Sequence, residues 1–478
     1  MLDISDLTIE KAQKLIASKQ IKALELTDAY FKRAVKLNPI INSFITITGD
    51  AARDQAKKID DLIANKQPIS PLAGIPIGIK DIFSTKGIKT TAASKVLEDY
   101  IPPYDATVVT KLKDANAVIL GKTNLDAWAH GASGENSDFG AAKNPYDLER
   151  VPGGSSSGSA SATAANQVLA ATSTDTGGST RQPASFCNVV GLKPTYGRVS
   201  RYGTVAMASS LDTMGHITKT IYDNALMLNT TAGYDPMDAT SSTKKSEDYT
   251  KDIEKVPKGL KLGLPKEYID GLDDKIKNVI TSAAKKLEKL GVKIVEVSLP
   301  YTKYGVATYY IIQPAEVSSN LARYDGIRYG NKRDAFGPEA KRRIILGTFT
   351  LSAGYYDAYY LKAMKVRRLI RDDFINAFKE VDALICPVSP TLPFKLGEKA
   401  SDPLSMYLAD IYTVNINLAG VPALTVPAGF VDDPSTSSGQ VLPVGMQIIG
   451  PDFSEKLLYQ IGYAYEQETK WYETKPKL

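Results

Sequence analysis

Two Gly-Gly-Ser corners near the middle of the sequence can each present a serine hydroxyl beside bare backbone. They occupy residues 153–155 and 177–179, in a stretch that reads RVPGGSSSGSASATAANQVLAATSTDTGGSTRQPASFCNVVGLKPTYGR over residues 150–198. Glycine before serine permits backbone angles that a side chain would forbid, and successive N–H groups at such a turn form an anion-binding hollow. An acyl-transfer enzyme needs this combination, because the attacking hydroxyl must lie beside donors that hold an oxyanion. The candidate donors are the N–H groups of Thr176, Gly177, Gly178 and Ser179.

A Gly/Ser-rich run can instead be a flexible linker. Here the run lies between apolar segments, because the pattern predicts a helix over residues 157–166 and a buried strand over residues 168–173. Val189, Val190 and Leu192 follow and belong in a core. A linker therefore fits this stretch poorly.

A hydroxyl nucleophile also needs a base, and the sequence contains only two histidines, His130 and His216. Neither has the sequence context of a Ser-His-Asp triad, although chain order alone does not exclude one. Lys80 is the better candidate, because it ends the apolar, strand-like run GIPIGIKDIF at residues 74–83. Partial desolvation there would lower the pKa of the lysine toward neutrality, and a neutral lysine can accept a proton. The alternative is a strand-end lysine that pairs with Asp81.

Two other short motifs match known catalytic or binding patterns only in part. Residues 154–158 satisfy G-x-S-x-G, which makes Ser156 an alternative nucleophile, but that motif needs a preceding strand and VPGG is a poor one. The run Gly121-Lys122-Thr123 lacks the earlier glycine of a phosphate loop, because Asn116 stands at that position. We therefore predict no nucleotide site there.

The sequence resembles the amidase signature family, whose members use a Ser-cisSer-Lys triad. The residues that carry the resemblance are Lys80 in GIKD, Ser155 in PGGSSSGSA and Ser179 in DTGGSTRQPASFC. The two serines are about two dozen residues apart, which supports the resemblance. The sequences GLKPTYGRVSRYG (191–203) and ASSLD (208–212) are similar to one branch of that family, the A subunits of glutamyl-tRNA(Gln) amidotransferases. The similarity extends from about residue 7 to residue 478. It implies Ser179 as nucleophile, Ser155 as proton relay, Lys80 as base, and an oxyanion hole formed by Thr176, Gly177 and Gly178.

The resemblance also implies a pocket for glutamine. Free glutamine carries an α-carboxylate and an α-ammonium, and arginine suits the carboxylate because its fork donates two parallel hydrogen bonds. The resemblance places Arg343 on the carboxylate and Asp410 on the ammonium. One tyrosine of the pair Tyr309 and Tyr310 is expected beside them, and Gly131 and Ser133 complete the implied substrate-binding set. The alternative for Arg343 is a solvated helix face, which is usual for a KRR sequence.

The activity that the resemblance implies is glutamine hydrolysis within a heterotrimer. Ammonia would pass to a B subunit, which converts Glu-tRNA(Gln) to Gln-tRNA(Gln) with ATP, while a small C subunit clasps the pair. ATP and Mg²⁺ are expected on the B subunit and tRNA mainly through it, so no cofactor and no metal site are expected on this chain. Two alternatives remain: a stand-alone amidase that acts on other carboxylic amides, and a catalytically silent scaffold subunit.

The sequence departs from the family at three places. Ser157 stands where glycine is usual, and His130 stands where an apolar residue is common in the A subunits. Between Gly330 and Phe336 the sequence NKRDA replaces a longer helical insertion. The shorter segment removes surface that can contact a partner subunit.

Composition limits the class of protein. With 43% hydrophobic and 23% charged residues the chain is typical of soluble globular proteins, and no apolar run has the length of a membrane span. The formal charge of +5 is modest and gives no argument for nucleic-acid binding. The N-terminal sequence MLDISDLTIEKAQKL does not resemble a signal peptide, and the two cysteines, Cys187 and Cys386, are expected as buried free thiols. We therefore expect a cytoplasmic protein.

The order of predicted elements favours an α/β fold. Helices are predicted over residues 8–18, 23–37 and 50–64, with Pro39 ending the second, and residues 42–50 read as a strand. Later, strands at 261–264 and 292–297 enclose a helical stripe over 276–290, an alternation that argues for a sheet covered on both faces. The resemblance implies one amidase-signature domain over residues 1–478, with a large mixed β-sheet flanked by helices. Its parts are an N-terminal helical segment (about 1–65), a triad core (about 66–230) and a substrate-specificity and C-terminal part (about 260–478).

Overall fold

The computed structural model describes residues 2–324, 326, 330–436, 439 and 441–478. Over these residues the chain forms one 11-stranded sheet with helices packed against it. The strands are β1 Phe44–Ile47, β2 Pro76–Lys80, β3 Val118–Thr123, β4 Ala170–Asp175, β5 Val190–Lys193, β6 Thr213–Thr218, β7 Lys261–Pro265, β8 Lys293–Val297, β9 Ala383–Pro387, β10 Ala423–Val431 and β11 Leu442–Ile449.

The α-helices of the described residues include long amphipathic ones at both ends of the chain and short ones around the corners. They are α1 Ile9–Ala17, α2 Ala23–Ile41, α3 Gly49–Ala64, α4 Thr107–Asp114, α5 Ser157–Ala164, α6 Arg181–Phe186, α7 Ile221–Thr231, α8 Asp274–Lys289, α9 Gly305–Asn320, α10 Pro338–Thr350, α11 Lys362–Ala377, α12 Pro403–Leu408, α13 Val414–Ala419 and α14 Glu455–Thr469. None of the helices in the described part of the chain has the length and apolar character needed to cross a membrane.

The strand order is β1-β3-β2-β4-β6-β5-β10-β11-β9-β7-β8. β2 runs parallel to β3 and β4, and β7 runs parallel to β8 and β9, whereas the strands between β4 and β9 pair antiparallel. The predicted large mixed sheet is therefore confirmed.

Helices lie on both faces of this sheet. On one face α6 reaches β11, where Arg181 donates to Gln447, the residue directly opposite Thr425 of β10. On the other face Gly462 of α14 lies against Leu424 of β10. Neighbouring residues of a strand point to opposite faces, so α6 and α14 cover opposite sides, as the sequence predicts.

β4 is fully buried although half of its side chains are hydroxyls. The hydroxyls are satisfied within the core: Thr172 accepts from the Lys80 N–H at 2.9 Å, and Ser173 accepts from Thr180 at 2.8 Å. Hydrogen bonding removes most of the cost of burying a polar side chain. The polar strand thus links β2, which ends on Lys80, to the second Gly-Gly-Ser corner.

The predicted end of the second helix is wrong. α2 continues through Pro39 to Ile41, and Asn42 then adopts a left-handed conformation with φ of 54°. Proline has no N–H to donate to the carbonyl of Val35, so the helix continues past Pro39 without that bond. The buried side chains of Leu37 and Ile41 hold the last turn against the core. Most other predicted elements agree with the structure to within two residues at each end.

Candidate active site

Lys80 lies at the end of β2 with its side chain fully buried. Its side-chain nitrogen Nζ donates to three hydroxyl oxygens: Ser155 Oγ at 2.9 Å, Ser156 Oγ at 2.9 Å and Thr174 Oγ1 at 2.7 Å. All three acceptors are neutral, so no carboxylate is in direct contact with the lysine through these bonds. The structure thus brings Lys80 and Ser155 together as predicted, and adds Thr174, which the sequence analysis missed.

Burial lowers the pKa of Lys80 to about 7, although the more distant carboxylates of Asp126, Asp175 and Asp212 act in the opposite direction. A large fraction of the lysine is therefore neutral near pH 7 and can accept a proton. The alternative partner, Asp81, is instead paired with Lys122 across 3.1 Å, and both of those side chains are buried. Pairing of Lys80 with Asp81 is therefore wrong.

The two Gly-Gly-Ser corners meet beside Lys80. The Gly154–Ser155 peptide bond is cis, as the family resemblance implies for the middle residue of the triad. The Ser156 N–H donates to the Ser179 carbonyl oxygen at 3.1 Å, which joins the corners. Ser179 retains 7% of its surface exposed whereas Ser155 is completely buried. Of the two serines, Ser179 is thus the one that solvent or a substrate can reach.

The second corner depends on glycine at position 178, where φ is 134°. A side chain there would also collide with Thr413, which lies directly over the turn. The Gly178 N–H donates to Asp175 Oδ1 at 2.9 Å. Among the hydrogen bonds of the described residues, none uses the N–H groups of Thr176, Gly177 or Ser179. Three of the four candidate oxyanion donors, those of Thr176, Gly177 and Ser179, therefore remain available, and Gly178 already has an acceptor.

A buried ion pair that the sequence analysis missed supports this corner. Asp175 accepts from Arg181 Nε and Nη2, both at 3.0 Å, and its Oδ2 also accepts from the Thr180 N–H at 3.2 Å. Burial raises the pKa of Asp175, but the charge and hydrogen bonds of Arg181 outweigh it and bring the pKa to about 2. The sequence DTGGSTR contains the signal, since an acid and a base flank the turn at either end.

The C-terminal part of the chain supplies further support for the corner. Thr413 Oγ1 donates to the Gly177 carbonyl oxygen at 2.6 Å, and Asn417 Nδ2 donates to the Asp175 carbonyl oxygen at 3.0 Å. The ring of Tyr309 lies against Gly177 from α9. No local pattern in the sequence indicates these contacts, because the residues that make them are far apart along the chain.

Arg343 is buried, with 4% of its surface exposed, while its neighbours Lys341 and Arg342 are exposed. Its Nε donates to Glu339 Oε1 at 2.8 Å and its Nη1 donates to Gln313 Oε1 at 3.0 Å. A guanidinium has five N–H groups, so three remain for a ligand. The solvated-face alternative therefore describes the neighbours of Arg343 and not Arg343 itself.

Asp410 and Arg343 both contact the same tyrosine, Tyr310. Tyr310 donates to Asp410 Oδ2 at 2.9 Å, and the guanidinium carbon of Arg343 lies 5.3 Å from the centre of the same ring. Tyr407 stacks on Tyr310 with ring centres 3.8 Å apart. Burial raises the pKa of Asp410 to about 7. The structure thus holds a cation and an anion at a fixed separation, with Tyr310 in contact with both and Tyr309 against the catalytic corner.

Gly131 and Ser133 belong to a loop that surrounds the buried carboxylate of Asp126. This carboxylate accepts the N–H groups of Gly134 and Asn136, each at 3.0 Å. Gly131 lies against Asp126, and the Ser133 backbone lies against Gly154 of the first corner. Burial raises the pKa of Asp126 to about 6. The predicted residues are therefore beside the triad, and Asp126 is a supporting residue that the sequence analysis missed.

The two histidines take no part in the hydrogen bonds of the triad. His216 is buried in β6, where its Nε2 lies 2.6 Å from Thr231 Oγ1. His130 follows the short 3-10 turn Ala127–Ala129, and its ring forms no hydrogen bond with any described residue. Lys80 is therefore the base that the geometry supports.

Other predicted features can be located as well. Both cysteines are buried free thiols. No cluster of three or more His, Cys, Asp or Glu side chains with metal-binding geometry occurs in the part of the chain that the structure describes. In the stretch from Tyr309 to Gly330, which begins with the predicted pocket tyrosines, residues 325 and 327–329 lie outside the described residues.

The chain is similar to known proteins over nearly its whole length. The amidase family model matches residues 25–459. The A subunit of the glutamyl-tRNA(Gln) amidotransferase of Carboxydothermus hydrogenoformans is 52% identical over 493 residues, and the match covers 100% of both chains. The structure of the Thermotoga maritima protein of the same name superposes with a TM-score of 0.82 at 44% identity, covering 98% of this chain and 96% of that one. The peptide amidase of Stenotrophomonas maltophilia superposes with a TM-score of 0.83 at 31% identity, covering 97% of each chain.

These matches confirm the resemblance that the motifs around Lys80, Ser155 and Ser179 predict. The family model spans most of the sequence, and the relatives align with it almost from end to end. The chain belongs to the amidase family.

Proposed function

We propose that this chain is the glutamine-hydrolysing component of a glutamyl-tRNA(Gln) amidotransferase. The relatives that match its whole length carry the name of the A subunit of that enzyme. The observation that carries the proposal is the buried pair of Arg343 and Asp410, both in contact with Tyr310, next to the Gly177 turn. An amidase for apolar amides has no use for two opposite charges in its pocket, whereas free glutamine presents the two complementary ones.

Binding orients the substrate before any bond changes. The α-carboxylate of glutamine accepts from the free N–H groups of Arg343, and the α-ammonium donates to Asp410. Binding removes water from the charges of glutamine and from those of the pocket. This cost is offset because each charge meets its opposite in a partly dry site. The side-chain amide then extends toward the Gly177 turn, where Ser179 is accessible.

The first half of the reaction forms an ester. Ser179 Oγ attacks the side-chain amide carbon and passes its proton to Ser155, whose own proton passes to neutral Lys80. The N–H groups of Thr176, Gly177 and Ser179 stabilise the oxyanion. The proton then returns through Ser155 to the amide nitrogen, the carbon–nitrogen bond breaks, and ammonia leaves a glutamyl ester on Ser179.

The second half restores the serine. Water attacks the ester carbon and gives a proton through Ser155 to Lys80. The carbon–oxygen bond to Ser179 breaks, the proton returns to Ser179 Oγ, and glutamate leaves. Lys80 begins and ends neutral, so one residue serves as base and acid in both halves.

The released ammonia is the nitrogen source for a second reaction on a partner subunit. We place conversion of Glu-tRNA(Gln) to Gln-tRNA(Gln), with its ATP and Mg²⁺, on a B subunit that also makes most tRNA contacts, and we assign a small C subunit to the assembly. This chain then needs no cofactor of its own, and all of its substrates are cytoplasmic.

Co-expression with the candidate B and C subunits tests the proposal. The purified complex should hydrolyse glutamine and should form Gln-tRNA(Gln) from Glu-tRNA(Gln) when ATP is present. Hydrolysis of an aryl amide or a peptide amide without turnover of glutamine would instead identify a stand-alone amidase. A complex that amidates tRNA with ammonium but never with glutamine would identify a silent scaffold.

A further inference from the structure

His130 is a completely buried imidazole whose two ring nitrogens have no hydrogen-bond partner among the described residues. The other histidine, His216, has Thr231 as a partner for one of its nitrogens. Buried polar side chains are nearly always hydrogen-bonded, so an imidazole with no partner calls for a specific explanation. A group that arrives with the substrate is one such explanation.

The backbone of His130 is held by two hydrogen bonds within its loop. Its N–H donates to the Ala127 carbonyl oxygen at 3.0 Å, and its carbonyl oxygen accepts from Asn136 Nδ2 at 2.9 Å. Gly131, which follows His130 directly, lies against Asp126, and Asp126 in turn reaches Gly154 of the first corner. His130 is therefore held in the loop that borders the triad.

The same loop packs against the segment that leads into the helix of Arg343. Trp128 stacks on Phe336 with ring centres 5.2 Å apart, and Phe336 comes just before α10. Arg343 lies on the following turns of that helix. The loop that carries His130 thus packs against the segment from which the helix of Arg343 begins.

Burial lowers the pKa of His130 well below its usual range, and the positive charge of Arg343 lowers it further. Both effects favour the neutral form of the ring. A neutral imidazole has one N–H donor and one acceptor nitrogen. A carboxylate bound to Arg343 accepts hydrogen bonds, and the neutral imidazole has one N–H to donate.

We propose that His130 donates a ring N–H hydrogen bond to the α-carboxylate of glutamine, beside Arg343, and thereby selects substrates that carry this group. The proposal rests on the proposed function, since it assumes that glutamine occupies the pocket. It assigns the buried imidazole a partner that is present only when the substrate is bound.

Three variants of the full chain, each co-purified with the other components of the complex, test the assignment. His130→Leu removes the donor, and kcat/KM for glutamine should fall roughly 10-fold or more, mainly through KM. His130→Asn places an N–H near the position of Nδ1 and His130→Gln places one near Nε2. One of these two should recover most of the loss, which a merely structural role would not produce. Unchanged glutamine kinetics in His130→Leu would overturn the proposal.

Competition with two glutamine analogues identifies the group that His130 binds. Glutaramate keeps the carboxylate and lacks the α-ammonium, so its inhibition constant should rise in His130→Leu. The inhibition constant of γ-aminobutyramide, which lacks the carboxylate, should stay the same. The reverse pattern, or equal losses for both analogues, would overturn the assignment to the carboxylate.

The outcome for His130 can be separated from the outcome for the proposed function. A wild-type complex that hydrolyses no glutamine would overturn both. An active wild type with an equally active His130→Leu variant would overturn only the role of His130. If the leucine variant fails to fold, the comparison of the asparagine and glutamine variants decides, because equal kcat/KM values in those two would contradict a directional hydrogen bond.

Discussion

The Ser156 N–H donates to the carbonyl oxygen of Ser179 across 3.1 Å, and this bond joins two corners that are separated along the chain by a helix and a strand. Lys80 binds the hydroxyls of Ser155 and Ser156 on the first corner. The relay and the nucleophile are thus carried by backbone segments that are fixed to each other. Such rigidity favours proton transfer, which needs hydrogen-bond distances to be kept between the groups.

Ser179→Ala should abolish glutamine hydrolysis in the complex, because the Ser179 hydroxyl forms the ester in the proposed reaction. The change should alter the free energy of unfolding by only about 0.5 kcal/mol, since the Ser179 hydroxyl forms no hydrogen bond with a described residue. Steady-state kinetics and denaturant unfolding measure the two effects.

Ser156→Ala is the matched control for the nucleophile. It removes one of the three acceptors of Lys80 but leaves Ser155 and Thr174 in place, so measurable hydrolysis should persist. Mass spectrometry of a trapped acyl-enzyme should locate the adduct on Ser179. An adduct on Ser156 would contradict the assignment.

Lys80→Arg should reduce kcat for glutamine by roughly 100-fold or more, because a guanidinium stays protonated and cannot act as a base. Lys80→Met has similar length, carries no charge and should be equally inactive. A Lys80→Arg variant that kept its rate would show that proton transfer does not require this residue. Single-turnover kinetics with glutamine distinguish slow chemistry from weak binding.

The pH dependence of kcat/KM should report two groups that must both be deprotonated. Lys80 has its pKa lowered to about 7 by burial and acts as a base only when neutral, and Asp410 has its pKa raised to about 7 by burial and binds an ammonium only when ionised. Below about pH 6 the logarithm of kcat/KM should therefore rise with pH at a slope approaching two. In Asp410→Asn the slope should fall to one, and a slope of two in that variant would exclude Asp410.

Arg343→Ala and Asp410→Ala should each reduce kcat/KM for glutamine by roughly 30-fold or more, since an unpaired charge in a partly dry pocket costs about 2–5 kcal/mol. Ammonium chloride should bypass the defect, because the partner enzyme would use ammonia from any source. Formation of Gln-tRNA(Gln) with each nitrogen donor measures this. Loss of both activities would mean that these residues hold the fold or the assembly together.

Asp175→Asn should lower the free energy of unfolding by about 3–5 kcal/mol, because it leaves the guanidinium of Arg181 buried without an anion. The pKa of Asp175 is lowered to about 2 in the folded chain, so its contribution is present above about pH 4 and is lost as the pH falls through about 2. The difference between wild type and variant in denaturant unfolding should shrink over that range. A constant difference would mean that Asp175 does not stabilise the fold through its charge.

Sequence patterns predict the triad and most of the elements because the information is local. Lys80 ends an apolar run, and glycine before each serine marks a turn. Patterns do not reveal which partner a charged residue finds across the fold. Asp81 pairs with Lys122 because of the way β2 and β3 align. Arg343 is the one buried residue of its KRR sequence because the rings of Tyr310 and Tyr407 cover it. No local sequence pattern indicates that Thr413 and Asn417 support the second corner.

The strand order has a consequence for the growing chain on the ribosome. β1 to β6 form one side of the sheet and β7 to β9 form the other, and only the last two strands, β10 and β11, join them. All three triad residues are synthesised before residue 180, yet the contacts of Thr413 and Asn417 with their corner come more than two hundred residues later. We therefore expect a nascent chain that lacks β10 and β11 to expose the unpaired edges of β5 and β9. We expect glutamine hydrolysis to begin only after Thr413 and Asn417 have been synthesised and contact this corner.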